Sequence, residues 1–419
     1  MLLFLINRLL ERWPGLGDFH GVEKITPRAS LAAVASFVLV LACGPRWIAW
    51  LKARFREPIK SASAEVARLH QPKQFTPTMG GIFIIAGLLA ATLAFGDLAN
   101  PYLPIAILLC LALTALGACD DLIKLTTSER GLRARTKLLA QSVIAAAAAA
   151  AVYGVHRHLD RGLDLALPAI GAPIHLGWLF IPLAALVIVG SSNAVNLADG
   201  LDGLAGGCLI CATGAVALVV YAAGHAQWAG YLGIPHIGGA GEMAVIGAAM
   251  TGGLLGFLWF NCHPASVFMG DTGSLPLGGL LGLLAVIARQ ELLLVAIGGV
   301  FVVEAASVIV QVGWFRWRKK RVFLCAPLHH HWQLKGWPED KIVVRFWIAA
   351  ALCAIVGLAG LKLHANDFSG QRPVDTLETA EALETADTMT PAVAKMHGVS
   401  PNYSQPQRVI PTNPTRKRR

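Results

Sequence analysis

Ten long apolar runs set the terms for any fold this chain can adopt. They fall at 27–49, 79–97, 103–119, 138–155, 176–193, 205–223, 243–260, 275–289, 292–315 and 342–363. A helix needs roughly 20 mostly apolar residues to cross a bilayer. The balance of the composition agrees, with 55% hydrophobic and only 14% charged residues, where a soluble domain carries about a quarter charged. The expected fold is therefore an all-α polytopic membrane protein of about ten helices. Gly252/Gly256 and Gly278/Gly282 form small-xxx-small pairs, which let helices approach closely.

The remaining residues divide into three stretches. Residues 1–26 open with MLLFLINRLLERWPG. Asn7 and Arg8 interrupt its apolar stretch too early for a signal peptide, and no small-residue cleavage site follows. An amphipathic segment lying at the interface is expected there, followed by a membrane domain over 27–365. Residues 366–419 are polar and rich in Pro and Thr, the composition of a disordered tail. Their basic end suits anionic headgroups.

Cations cluster in alternate connections. Lys52, Arg54, Arg56, Lys60, Arg68 and Lys73 lie between the first and second spans. Lys124, Arg130, Arg133, Arg135 and Lys137 lie between the third and fourth. Arg316, Arg318, Lys319, Lys320, Arg321, Lys335 and Lys341 lie between the ninth and tenth. Positive loops stay in the cytoplasm, so both termini are expected outside, in the periplasm. The eight cysteines lie mostly in apolar segments, and the Cys208/Cys211 pair reads as a packed helix face rather than a redox or zinc site.

Four polar groups of residues break the apolar pattern, all on the expected cytoplasmic side. In GACDDLIK, Asp120 and Asp121 stand four and three residues before Lys124, within reach of its ammonium on a helix. A solvated helix end would show the same pattern. In SSNAVNLADGLDGLAGG, Asn193, Asn196, Asp199 and Asp202 recur every third residue beside glycines, a stripe suited to sugar hydroxyls, ribose or a hydrated metal. In WFNCHPASVFMGDTGS, Asp271 sits on a turn flanked by Gly270 and Gly273, with Asn261 and Phe268 before it. An amide beside an aromatic face suits a nucleobase. In APLHHHWQLKGW, His329, His330 and His331 lack the spacing of a zinc protease but can donate to phosphate. Hard carboxylates, cations and carboxamides together suit Mg²⁺, a diphosphate and a nucleoside. Nothing here calls for a nucleic-acid partner.

At these residues the chain resembles a known family. HQPKQFTPTMGG (70–81) and the four motifs above, running in order over about 1–363, resemble the phospho-N-acetylmuramoyl-pentapeptide transferases (MraY, translocase I). The resemblance implies ten helices, a homodimer in the bacterial inner membrane, Mg²⁺ dependence and a cytoplasmic active site. The reaction it implies joins UDP-N-acetylmuramoyl-pentapeptide to undecaprenyl phosphate, giving lipid I and UMP. By similarity Asp120 and Asp121 serve the lipid phosphate and metal region, and Asp271 binds the metal, with Asp121 as its second ligand. Asn193, Asn196, Asp199 and Asp202 lie beside the nucleoside diphosphate, and Asn261 and Phe268 hold uracil. Lys73, Lys124, Lys137, His329, His330 and His331 line the phosphate region. Gln311, inside the ninth span, joins the substrate-binding set.

Two features depart from the family's pattern: Phe75 before TPTMGG, and the long tail. A relative that transfers N-acetylglucosamine-1-phosphate is the nearest alternative. A transporter is more remote, because transporters gather polar groups near the midplane. Glu304, within a span, is a functional candidate or a partner in bundle packing.

Overall fold

The structure, a computed structural model, describes residues 24–54, 76–127, 131–166 and 173–361. The expected interfacial segment up to residue 23, Lys73, Phe75 and the expected tail lie outside the described residues.

Within them the chain is helical, and the polytopic membrane fold stands. The long elements are α1 (Ile25–Arg54), α2 (Gly81–Phe95), α3 (Tyr102–Thr126) and α4 (Ala134–His156). A two-stranded antiparallel pair follows, β1 (Asp164–Leu165) with β2 (Ile174–His175). Next come α5 (Phe180–Ala198), α6 (Leu204–Ala223), the short α7 (Ala226–Leu232) and α8 (Met243–Asn261). The last elements are α9 (Asp271–Ile287), the short α10 (Glu291–Ile297), α11 (Gly299–Arg318), the short α12 (Leu328–Leu334) and α13 (Glu339–Gly360). Among the described residues, eight helices are long and apolar enough to cross a membrane, and α2 and α9 are shorter apolar helices.

Three of the expected boundaries move. The third helix runs on to Thr126 and carries Asp120 and Asp121 inside it, because Lys124 partners both carboxylates and Leu122, Ile123 and Leu125 continue the apolar pattern. Asp271 is not on a turn but is the first residue of α9. Gly270, at φ +71°, makes the turn before it. The run 292–315 is two helices, α10 and α11, broken at Gly298.

The centre of the bundle is α9, all of whose residues are buried, as expected of a helix apolar on every side. It packs against α3 and α5, while α8 packs against α1. Glycines permit both approaches. A Cβ at Gly278 would meet Ser191 O at 2.6 Å, and one at Gly252 would meet Ala33 O at 2.0 Å, so both small-residue pairs do the work expected of them. Outer faces expose Leu139, Ile309 and Ile355, apolar surface that calls for lipid. With ten alternating passes, the ends at Arg54, Gly81, Thr126, Ala134, Ala198, Leu204, Asn261, Asp271, Arg318 and Glu339 share one face. All the candidate residues that the structure describes belong to that face or to the helix turns leading to it.

Candidate active site

The site begins where α3 and α9 cross. Gly117 of α3 lies so near the start of α9 that a Cβ would come within 2.2 Å of Asp271 O. This contact sets Asp121 against the first turn of α9. Asp121 Oδ2 accepts the Thr272 N–H at 2.9 Å and its hydroxyl at 2.7 Å, and Oδ1 faces the Asp271 N–H at 3.3 Å. A carboxylate from another helix thus caps α9, where free N–H groups and the helix dipole favour negative charge.

Asp120, one residue back, turns the other way and accepts the Leu132 N–H at 2.6 Å. Gly131, at φ +100°, makes that turn, and a Cβ on it would come within 2.6 Å of Asp120 Oδ1.

Three buried carboxylates therefore converge, Asp120, Asp121 and Asp271, with oxygens within 4.8 Å of one another. Lys124 Nζ lies among them, 2.9 Å from Asp120, 3.1 Å from Asp121 and 2.8 Å from Asp271. Lys137 enters from α4, 3.3 Å from Asp120 Oδ2 and hydrogen-bonded to Asp271 Oδ2. Asn196, from α5, donates to Asp271 Oδ1 at 2.6 Å and to Ser274 at 2.8 Å. Four helices thus contribute to one cluster.

Asp199 follows the last turn of α5 and keeps only part of its surface exposed. Burial, then the charges of Asp271 and Asp121, push its carboxyl up to about 7.

The loop before Asp271 is held through its backbone. Phe268 N–H donates to Pro77 O at 2.8 Å, and the N–H groups of Gly80 and Gly81 donate to Phe268 O and Met269 O at 2.8 and 2.9 Å. A Cβ on Gly81 would lie 2.1 Å from Gly273 N, so TPTMGG works as a brace for the Asp271 turn. Phe268 is partly exposed. Asn261 spends its amide on this scaffold, accepting the Gly203 N–H and donating to Val267 O.

The polar stripe of residues 193–202 does not stay together. Asn196 reaches the carboxylates, but Asn193 donates to Gln141 and Val189 O, away from the cluster. Asp202, past the helix end, accepts from His263 at 2.9 Å and from Ala265 N–H at 3.1 Å. A period of three makes one face only while the helix lasts, and α5 stops at Ala198.

Gln311 binds the backbone of a neighbouring loop. Its ends bind Val322 N–H, Phe323 N–H and Phe323 O, which closes the loop after α11. His331 accepts the Leu324 N–H in the same loop and His330 pairs with Gln333, whereas His329 is wholly buried against Glu304. Glu339, whose carboxylate accepts the Asp202 N–H at 2.9 Å, and His263, which lies in a motif, are not singled out by the sequence. Only its place inside a span marked Glu304.

The family described as glycosyl transferase family 4 matches residues 103–289, a segment that holds the whole carboxylate cluster. Two strains of Nitratidesulfovibrio vulgaris have phospho-N-acetylmuramoyl-pentapeptide-transferases 46% identical over 363 residues, covering 86% of this chain and all of theirs. The enzyme of that name from Koribacter versatilis is 44% identical over 365 residues, covering 83% of this chain and 95% of its own.

This chain belongs to the phospho-N-acetylmuramoyl-pentapeptide transferase family.

Membership embraces nearly all of the described bundle. It also gives the carboxylate cluster a chemical context, because such a transferase must handle a diphosphate beside a membrane. When ionised, the three carboxylates of the cluster only accept, and Lys124 and Lys137 are the cations set among them.

Proposed function

We propose that this chain transfers phospho-N-acetylmuramoyl-pentapeptide from its UDP conjugate to undecaprenyl phosphate, releasing UMP and forming lipid I at the cytoplasmic face of the bacterial inner membrane. The observation that carries the reading is Lys124 Nζ within 3.1 Å of three buried carboxylates. Its ammonium stands where a site built for hard cations would hold one. That donor set fits Mg²⁺, which takes one or two carboxylates together with phosphate oxygens. Asp271 and Asp121 would hold the metal, with Asp120 beside them, and the metal would supply charge neutralisation on the diphosphate. Asp121 is already the cap of α9, so its Oδ1 is the more available oxygen.

The protein's own groups have separable roles. Lys124 and Lys137 release their carboxylates to meet phosphate oxygens, and Asn196 holds Asp271 in place. Lys73, His329, His330 and His331 serve the phosphate region by resemblance. Phe268 offers its ring to uracil and Asn261 shapes the loop that presents it. A phosphate monoester has a second pKa near 6, so the lipid phosphate is largely a dianion at neutral pH and needs little general-base help. The reading is therefore a single in-line displacement with Asp120 orienting the attacking phosphate. A homodimer rests on the resemblance alone.

The test is UMP release from UDP-N-acetylmuramoyl-pentapeptide against UDP-N-acetylglucosamine, each with undecaprenyl phosphate and Mg²⁺. Turnover with the first only is expected, and without lipid no stoichiometric burst of UMP. Preference for the second donor would overturn the substrate. A burst with covalent label on Asp120 or Asp121 would overturn the single step.

A further inference from the structure

Glu304 is a wholly buried carboxylate in α11, and among the described residues it forms no ion pair with a lysine or arginine. Its oxygens face the start of α12 instead. Oε2 accepts the Leu328 N–H at 2.7 Å and lies 3.2 Å from His329 Nδ1, and Oε1 accepts the His329 N–H at 3.1 Å. A carboxylate can only accept, so this contact places a proton on Nδ1 of His329. The other ring nitrogen, Nε2, is buried and has no hydrogen-bond partner among the described residues. A buried polar atom without a partner calls for an explanation.

Its surroundings offer one. Nε2 lies against Gly200, where a Cβ would come within 2.2 Å of it. Gly200 is not in the left-handed region, so the backbone does not demand glycine there; the space does. Gly200 directly follows Asp199 in the turn that closes α5, next to the carboxylate cluster.

We infer that Glu304 is a positioning residue for the transfer proposed above. It fixes the orientation and tautomer of His329 so that Nε2 meets a phosphoryl oxygen of substrate across Gly200. The inference rests on that reading of the reaction. With an anionic oxygen as partner the ring donates from Nε2, and Glu304 supplies the opposite charge behind it. No bond is made or broken by this pair. The same arrangement explains why a carboxylate is kept in an apolar helix: it serves α12 and the histidine together.

The experiment compares full-length wild type with Glu304→Gln, His329→Asn, their double variant and Gly200→Ala. UMP release is measured while each substrate in turn is varied, and ¹⁵N-histidine spectra are recorded without substrate. Glu304→Gln should lower kcat about 10- to 100-fold, the usual loss when the partner that orients a working histidine is changed. KM for both substrates should stay within about threefold, since the effect is on the reacting geometry. The double variant should be no slower than His329→Asn, because the two act as one unit. The resonance lost in His329→Asn should report a proton on Nδ1 in wild type and a mixture of tautomers in Glu304→Gln. Gly200→Ala should lose kcat similarly while leaving the Nδ1 signal in place.

Near-normal turnover in Glu304→Gln or in Gly200→Ala would overturn the inference, as would additive losses in the double variant. A raised KM for one substrate alone, with kcat unchanged, would also overturn it. If Glu304→Gln does not fold, Gly200→Ala and the wild-type spectrum decide. The underlying reading fails differently, through absence of UMP release in wild type, and the nitrogen signals do not depend on it.

Discussion

Charge is buried at both ends of the helical bundle, in two different styles. On the face opposite the candidate site, Arg28 meets Glu242 with two parallel bonds of 2.7 Å and also donates to Phe95 O, while Glu242 accepts the Asp97 N–H. Arg289 pairs with Glu291, donates twice to Asp164 O and lies over the ring of Phe180. Each pair is one cation to one anion, and each ties loops to helices. At the candidate site three carboxylates share two lysines, and the lysine side chains keep 16–21% of their surface exposed. Arginine's planar fork fixes a carboxylate, whereas lysine is a mobile point charge. The arginine pairs are balanced one to one, whereas the lysine cluster holds three carboxylates against two cations.

That contrast can be broken most decisively at Asp271. Asp271→Asn retains the shape but removes the charge that both lysines share. Turnover in the UMP-release assay should fall on the order of 10³-fold, with the thermal midpoint in detergent close to wild type. Collapse of the fold instead would place Asp271 with the structural pairs.

The converse substitution is Arg28→Met. Leaving Glu242 buried and unpaired should cost roughly 3 kcal/mol, read as a lowered melting midpoint, while turnover per folded molecule stays near normal. The paired change Arg28→Met with Glu242→Leu should recover most of the loss. A specific drop in turnover without loss of stability would blur the division between the two faces.

The smallest effect concerns Asp199. Its carboxyl is raised to about 7 from the usual carboxylate range, first by burial and then by Asp271 and Asp121. A raised folded-state value means stability that is full at low pH and declines as pH rises through about 7. Without metal, the wild-type melting midpoint should therefore fall by roughly a few degrees more than that of Asp199→Asn between pH 5.5 and 8. Parallel curves for the two proteins would show that Asp199 does not carry the difference.

Much of the fold is legible in the sequence. Apolar runs announce ten passes, and the Asp120–Asp121–Lys124 spacing correctly predicts contacts within one helical turn. What escaped has physical reasons. Hydropathy continues through LLLVAIGGVFVV, so no change of polarity marks the break, and only the Gly298–Gly299 pair signals it. The grip of TPTMGG on the Asp271 loop is made by backbone N–H and C=O groups, which carry no residue signature. The contacts of Asn193 with Gln141 and of Gln311 with the 322–323 backbone were not foreseeable, because an amide can bind a neighbouring helix or a loop backbone as well as a ligand. Glu304 finds its partner beyond a long loop, a pairing that periodicity cannot reveal.

The central helix has one consequence of scale. At about 1.5 Å per residue, the segment Asp271–Ile287 spans about 25 Å, against a hydrocarbon layer of about 30 Å. Its neighbour Gly81–Phe95, whose first residue abuts Gly273, is shorter still. Both short helices start at the same place, beside the carboxylate cluster, so by length alone neither carries its first turn across the full layer. In the transfer proposed above, a polar nucleotide from water and a phosphate on a lipid tail would meet at the depth of that shared start.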